Sequence, residues 1–408
     1  MAQTVIATNS PLARKLYSVA AFAAAQRAPS FTKNLIGEAP QQSDAEKRLR
    51  GQTSPDMPIV RVTDLSKGGG DKISVDMYNI IGGKPVMGDE KLNGKASSLT
   101  FGSMDIAINQ VRKSVDPGGR MTQQRTLHNL RSIAVANLAG WWARFQDQVT
   151  LVHLGGARGS QSGSDWIVPS EADADFSTIM VNPVLPPSPN RRFFANDATG
   201  VANLDATDFL KLKDIDKLRT SIDEMAFPPA PIRLKGDPAA DEEPLYMLNV
   251  TPRQWYWLLT NTDTQNWRTF LANAYERGKF TNHPLFMGTC GMWNGILIKK
   301  MRRCVRFAPG DTVREYAGDG VTINNATAAV ATDRAILLGA QALGLVYGKN
   351  QKSDYYMSWH EEETDHGNTV EISIAAMAGW SKLKFNDQDG VPTDNGVITI
   401  DSYAPVPA

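Results

Sequence analysis

The sequence predicts an α+β fold in which helix and sheet are segregated rather than alternating. Three observations predict it. Apolar residues alternate with polar ones at Ile73, Val75 and Met77; they recur at three- and four-residue steps over 122–153; and strand-like runs return at 369–378, 381–385 and 397–403. The 408 residues suffice for two or three packed units, and a composition of 42% hydrophobic and 8% aromatic residues excludes a disordered or collagen-like chain.

The first element is a helix. Ser10 suits the N-cap and Pro11 the first helical position, and Leu12, Leu16, Val19 and Phe22 share one face before Ala28-Pro29 stops the run. Arg14-Lys15 and the small residues after it imitate a secretory signal, but the cap and the one-sided stripe read as an amphipathic docking helix. From 37 to 58 the chain is polar and broken by Pro40, Pro55 and Pro58, which reads as an extended arm.

Residues 59–117 read as two strands around a long loop. The first strand holds Ile73, Val75 and Met77; the second runs from Leu99 through Ile106 and Ile108 to Val111. Between them, 82–95 is too long for a tight turn and too rich in glycine and charge for a core, so it reads as a loop projecting from a two-stranded ribbon. An isolated ribbon is marginal in water and its edges invite pairing, so the ribbon should lie on another surface.

A helix is predicted over 122–153 from Leu127, Leu130, Ala134, Leu138, Trp141, Phe145, Val149 and Val152, with Gly155-Gly156 ending it. Its length would be about 45 Å. Gly140 inside it costs about 1 kcal/mol relative to alanine, so the helix should bend there or meet another backbone. Residues 157–200 are loop-rich. A second unit begins near Leu204, with a helix through Leu210, Ile215, Leu218, Ile222 and Met225, a strand at 246–250, a helix over 251–259 opened by Pro252, and another over 266–277. Strands at 295–300 and 303–307, a Gly/Asn turn region and a short apolar helix around 336–346 complete it.

Little of the sequence suggests reaction chemistry. Lys+Arg 43 balances Asp+Glu 43, which argues against a dedicated nucleic-acid binder and leaves little repulsion between copies. Cys290 and Cys304 form no CxxC pair, so neither a disulfide framework nor a Cys-rich zinc site is expected, and no run approaches a membrane span. Gly82-Gly83-Lys84 is followed by Pro85, Gly68-Gly69-Gly70 precedes a strand, and Gln161 stands where a nucleophile elbow needs serine, so nucleotide-binding and hydrolase motifs fail. His360 and His366 flank an acidic run, but six residues separate them; the segment reads as a solvated acidic turn between strands. His128, His153 and His283 read as packed or capping side chains, His153 favouring the helix dipole when protonated. Arg120, Arg125 and Arg131, then Arg191-Arg192, then Lys299-Lys300 with Arg302-Arg303 and Arg306, read as salt-bridged faces, and Asp241-Glu242-Glu243 as an exposed loop. Trp255, Trp257, Trp267, Trp293, Trp359 and Trp380 are assigned to cores. No catalytic, cofactor-binding or metal-binding residue is assigned.

The order of parts is more specific than any motif. An arm, a ribbon with a projecting loop, a long helix, a second α+β unit and returning strands resembles the major capsid protein family of tailed double-stranded DNA bacteriophages. The resemblance is carried by Gly70-Asp71-Lys72-Ile73, Lys84-Pro85-Val86-Met87-Gly88-Asp89-Glu90 before 92–99, Ile108-Asn109-Gln110-Val111-Arg112, and Gly119-Arg120-Met121-Thr122-Gln123-Gln124-Arg125-Thr126. It continues through 138–142, Asn282-His283-Pro284-Leu285-Phe286, Leu338-Gly339-Ala340-Gln341-Ala342 and Asp365-His366-Gly367-Asn368. These pieces are colinear and cover most of the chain beyond the first sixty or so residues. His366, where a tyrosine is expected, and the loop 388–395 depart from the pattern.

The resemblance implies the tailed-phage major capsid protein fold: an arm (1–58), an elongated β-hairpin loop (59–117), a peripheral domain with a spine helix (118–203 and 346–408) and an axial domain (204–345). It implies a structural protein, not an enzyme, that assembles with itself into pentamers and hexamers of an icosahedral head. Candidate contacts between subunits are Lys84, Met87, Asp89, Glu90, Leu92 and Lys95 on the loop, with Leu16 and Phe22 on the docking helix. Expected partners are a scaffold, a portal, decoration proteins and packaged double-stranded DNA, bound without sequence preference, and no membrane; the expected location is the virion, after assembly in the bacterial cytoplasm. Two other classes compete. An enzyme with an inter-domain cleft would need a convergent acid, base or nucleophile, and a DNA-binding accessory protein would need a net basic domain.

Overall fold

The computed structural model describes residues 31–37, 53–63, 70–78, 84–95, 101–118, 120, 130–161, 166–237, 239–240, 242–281, 283–348, 357–386 and 390–407. The predicted docking helix with Leu16 and Phe22, most of the arm, and residues 122–129 of the predicted long helix lie outside them.

Helix α1 (Phe31–Leu35) is tied to the long helix by Asp147, whose carboxylate accepts from the backbone N–H groups of Phe31 (3.1 Å) and Thr32 (3.0 Å) and from the Thr32 hydroxyl (2.8 Å). Strand β1 (Ile59–Val62) comes next, then β2 (Lys72–Tyr78), β3 (Phe101–Ala107) and β4 (Asn109–Val115). The spine helix α2 (Leu130–Gly155) has exposed residues only in its first half; from Phe145 to Gly155 every residue is buried. A helix buried all round threads a core rather than covering one. It stops at Gly156, where φ is 67° and a Cβ would lie 2.6 Å from the Leu185 carbonyl oxygen, so only glycine lets the chain turn there. At Gly140 a Cβ would meet nothing within 4 Å among the described residues, so no described backbone explains that glycine.

Helix α3 (Phe176–Met180) and strand β5 (Arg192–Phe194) lead into the second unit. It holds α4 (Leu212–Glu224), β6 (Tyr246–Val250), α5 (Pro252–Thr260) and α6 (Thr264–Thr281). Strands β7 (Cys290–Trp293), β8 (Ile296–Lys300), β9 (Val305–Phe307), β10 (Thr312–Tyr316), β11 (Ile323–Thr327), β12 (Thr332–Leu338) and β13 (Leu343–Tyr347) follow. The start of α5, which the sequence marks by Pro252, carries a reciprocal cap: Gln254 N–H donates to the Thr251 hydroxyl (3.1 Å), and Thr251 N–H donates to the Gln254 side-chain oxygen (3.0 Å). The chain ends with β14 (Met357–Thr364), β15 (Thr369–Lys382), β16 (Lys384–Asn386), β17 (Pro392–Asp394) and β18 (Val397–Tyr403).

Two sheets flank the spine. In one, the order is β1-β13-β15-β14, with β4 also pairing β15; β1 and β13 run parallel. In the other, the order is β5-β18-β12-β6-β8-β7, with β9 also pairing β12. Residues 59–62 and 109–115 thus belong to the first sheet, and the freely paired ribbon comprises 72–78 and 101–107, Lys72 opposite Ala107 and Tyr78 opposite Phe101. The second sheet takes β5 and β18 from outside 204–345.

Several local expectations change. The apolar run at 336–346 is two strands, β12 and β13, not a helix. All their residues are buried, so no alternation marks them, and a short run apolar on both faces reads equally as helix. The acidic run at 360–363 lies in β14, with Glu361 buried and bonded to Arg131 (2.7 and 2.8 Å) and the Trp359 indole N–H (3.0 Å); the turn is confined to 365–367. The Gly/Asn region at 308–331 contains the β10–β11 hairpin. Of the six tryptophans assigned to cores, Trp255, Trp359 and Trp380 are buried, while Trp257, Trp267 and Trp293 are half-buried.

The spine packs on β15 through an aromatic group. Trp142 and Phe145 lie 6.4 and 5.9 Å from the Trp380 ring, the latter edge-on. At the far end of the spine, Arg334 donates to the Gly155 carbonyl (2.9 Å) and makes a two-pronged ion pair with Asp401 (2.7 Å each), all fully buried. His153, in the same turn, is buried; one ring N–H donates to the Met180 carbonyl and Nε2 has no partner among the described residues. Burial pushes its pKa down to about 4, and Lys382 adds to the effect, so His153 is neutral rather than the protonated dipole partner expected. Since the unfolded chain binds this proton near its ordinary 6.5 and the folded chain only near 4, stability from this group is full above about pH 6.5 and declines as pH falls toward 4. The full effect is about 3 kcal/mol. Half-buried Glu315 and Asp214, whose pKa values are raised mainly by desolvation, act in the opposite sense. Urea denaturation of His153→Gln between pH 7 and 4 should therefore show a flatter loss of stability than the unsubstituted chain; parallel curves would contradict a neutral buried His153.

Candidate assembly surfaces

The ribbon is two-faced. Ile73, Val75, Met77, Met104 and Ile106 point one way, onto Val60, Val62, Val346, Leu383 and Phe385, while Ser74, Asp76, Ser103 and Asp105 are exposed on the other. This follows from the period-two pattern of its strands. The ribbon therefore has its own small core where it leaves the body.

Its base is fixed by a close approach. Ala107 donates its N–H to Asn182 Oδ1 and accepts at its carbonyl from Asn182 Nδ2, both at 2.9 Å; the same Nδ2 donates to the Trp380 carbonyl (2.9 Å). Ile108 N–H donates to the Asp71 carbonyl (2.9 Å). A Cβ on Gly379 would stand 2.1 Å from the Ala107 carbonyl oxygen, and one on Gly344 2.5 Å from Ile106 Cδ1. Residues 106–108 thus lie directly on the backbone of β13 and β15, and only glycine leaves room. Val181, beside Asn182, adopts φ 62°, a strained value for a β-branched residue that the three Asn182 bonds hold in place. The sequence reading assigned no role to Asn182 or Gly379. The signals were present: Asn182-Pro183 is a turn dipeptide, and a glycine inside a strand marks a close backbone approach.

At the other end of the ribbon, every one of Lys84, Met87, Asp89, Glu90, Leu92 and Lys95 is exposed. Gly88 and Gly94 take left-handed φ, Lys95 N–H closes a turn on the Leu92 carbonyl, and the Lys95 ammonium pairs with Glu90. Met87 is 73% and Leu92 69% exposed, so two large apolar side chains stand in water on a polar loop. A second exposed apolar set, not foreseen from the sequence, lies on the helical side of the second unit: Leu271 and Tyr275 on α6, Leu259 on α5, and Met287 after α6. Leu271 and Tyr275 are one turn apart and share a face.

Among the described residues, no group of three or more His, Cys, Asp or Glu side chains could hold a metal ion, and no helix is long and apolar enough to cross a membrane. Burial pushes the Cys304 thiol up to about 12, which makes it a poor nucleophile.

The sequence matches the phage capsid protein family over residues 5–406. It is 27% identical over 364 residues to the major capsid protein of Pseudomonas phage KPP25, covering 85% of this chain and 88% of that one. The structure is similar to the capsid of Ralstonia phage GP4, with 28% identity, all of both chains covered and a TM-score of 0.72. It is also similar in fold to the cyanophage Pam1 capsid, at 16% identity, 91% and 96% coverage and a TM-score of 0.58. With nearly its whole length matched, this α+β chain belongs to the phage capsid protein family.

Proposed function

We propose that the chain is a structural, non-enzymatic shell subunit that assembles through pentamers and hexamers into an icosahedral head enclosing double-stranded DNA. The observation that carries this reading is the ribbon tip, where Met87 and Leu92 stand exposed among charged residues at the end of a rigidly based lever. Laid across a neighbouring subunit, each would contribute about 1.5–3 kcal/mol by leaving water. Lys84, Asp89, Glu90 and Lys95 would set the register of that contact, and the docking helix with Leu16 and Phe22 would add a second one.

In this reading, 204–345 forms the axial domain, and Leu271, Tyr275 and Met287 face the next copy around the ring. Residues 118–203 and 346–408 form the peripheral domain, stiffened by the spine. Head-to-tail contacts of this kind close into rings, and modest contacts suffice when each subunit makes several at once. A scaffold, a portal, decoration proteins and packaged DNA are the partners such a shell requires, with assembly in the host cytoplasm and residence in the virion.

Two outcomes test the reading. Purified full-length chain, alone or with its scaffold, should form rings or shells by electron microscopy, and a variant lacking 84–95 should lose them while its far-UV circular dichroism stays nearly unchanged. Normal shells from the deletion variant would contradict the bridging role of the loop. Asn182→Ala should destabilise the unassembled subunit by about 2–4 kcal/mol in urea, because it leaves the Ala107 N–H and two carbonyls without partners at the ribbon base; a change below about 0.5 kcal/mol would show that the clamp is not needed.

A further inference from the structure

The sequence reading assigned the basic groups to salt-bridged faces, and several of them are. Arg306 pairs with Asp333, Arg131 with Glu361, and Arg192 with Glu315. Lys300 and Arg302 differ: both are exposed, and neither pairs with a carboxylate among the described residues. They stand on the rim of a groove of about 360 Å³ between α1, the middle of the spine and the end of β8. Lys299 and Arg303 also line it, and Leu151 and Met301 form part of its apolar floor. Between the two exposed cations, buried Met301 anchors the segment, and its N–H donates to the Val250 carbonyl (2.9 Å).

Asp147 is the one acidic residue in the lining, and its carboxylate is already committed to the Phe31 and Thr32 N–H groups, the Thr32 hydroxyl and, at 3.6 Å, Arg303. Lys299 donates to the Leu285 carbonyl (3.2 Å). The groove therefore presents four cations against one engaged carboxylate in a chain whose total charge is zero. Residues 1–30, which precede α1 at its edge, contain Arg14, Lys15 and Arg27 and no acid, so their charge opposes occupancy by the chain's own N-terminus.

We infer that this groove is the surface on which the subunit meets the phosphate backbone of duplex DNA, with Lys300 and Arg302 making the contacts. The inference rests on the capsid reading for the presence of DNA, and it assigns the α1–spine–β8 side of the subunit to the inside of the shell. Contacts of this type carry no sequence information and are strongly dependent on salt.

The test uses the unassembled full-length chain and a short labelled DNA duplex of arbitrary sequence, with binding followed by fluorescence anisotropy across a salt series. Lys300→Glu with Arg302→Glu should lower the slope of log affinity against log salt by about 1.8 in magnitude, about 0.9 for each phosphate no longer neutralised. Lys213→Glu with Lys235→Glu, an equal charge change at two other exposed positions, should leave the slope unchanged. An unaltered slope in the groove variant, or an equal fall in the control, would overturn the assignment. Binding to polyglutamate but not to the duplex would overturn it too, in favour of an acidic protein segment. Electron microscopy of the same chains, alone and with the scaffold, separates the two claims: shells that form normally from a variant with weakened DNA binding support both, whereas failure of the unsubstituted chain to assemble under either condition removes the capsid reading regardless of the slope.

Discussion

Where Ala107 crosses Gly379, three parts of the molecule meet within one residue of each other. The ribbon leaves the body at Ala107, Asn182 satisfies both backbone groups of that residue, and the same Asn182 holds the Trp380 carbonyl. Trp380 in turn packs on Trp142 and Phe145 of the spine. Strand β15 is fourteen residues long, and this crossing lies within it: β14 pairs with 369–376 and β13 with 378–382 along one edge, while β4 pairs with 372–378 along the other. The direction of the ribbon is thus set by backbone-to-backbone contact, which side-chain flexibility cannot relax. A lever that must reach a neighbour with its tip needs such a base.

Buried ion pairs extend the same rigidity to the second sheet. Arg334 and Asp401 are register partners on β12 and β18, and Arg334 also holds the last carbonyl of the spine. Lys382, at the end of β15, pairs with Asp394 and donates to the Pro186 carbonyl, tying the sheet to the loop that follows the spine. Desolvation offsets much of the Coulomb attraction in such pairs, so they are weak sources of net stability. Removing one partner, however, leaves a buried charge and costs about 3–5 kcal/mol, which makes any geometry that separates them inaccessible. Their effect is to allow one arrangement of the spine relative to both sheets.

Much of this was legible in the sequence wherever one side of an element faces water. The alternation at 73–77 gave the ribbon, the charged and glycine-rich 84–95 gave its exposed tip, and Pro252 gave the start of α5. Legibility failed where both sides are buried. Strands β12 and β13 carry no polar alternation and read as a helix, and β14 hides its one buried acid, Glu361, among exposed ones. The break read into the strand at Gly379-Trp380 is the most informative miss. Glycine there does not end β15; it admits the Ala107 carbonyl, a partner 272 positions away that local pattern cannot reveal. The basic segment at 299–303 was misread in part for the same reason, since only the fold shows that Asp147 is already engaged and that Lys300 and Arg302 are left exposed.

The central claim is that a rigid base aims the ribbon tip away from its own subunit and onto another. A cryo-electron microscopy map of the assembled shell, at a resolution that traces side chains, tests it most directly. The account requires residues 106–108 to sit on Gly379 as they do in the single subunit, with Met87 and Leu92 buried against a neighbouring copy. A map in which the 84–95 loop folds back on its own subunit, or stands in solvent with the shell intact around it, would contradict the account.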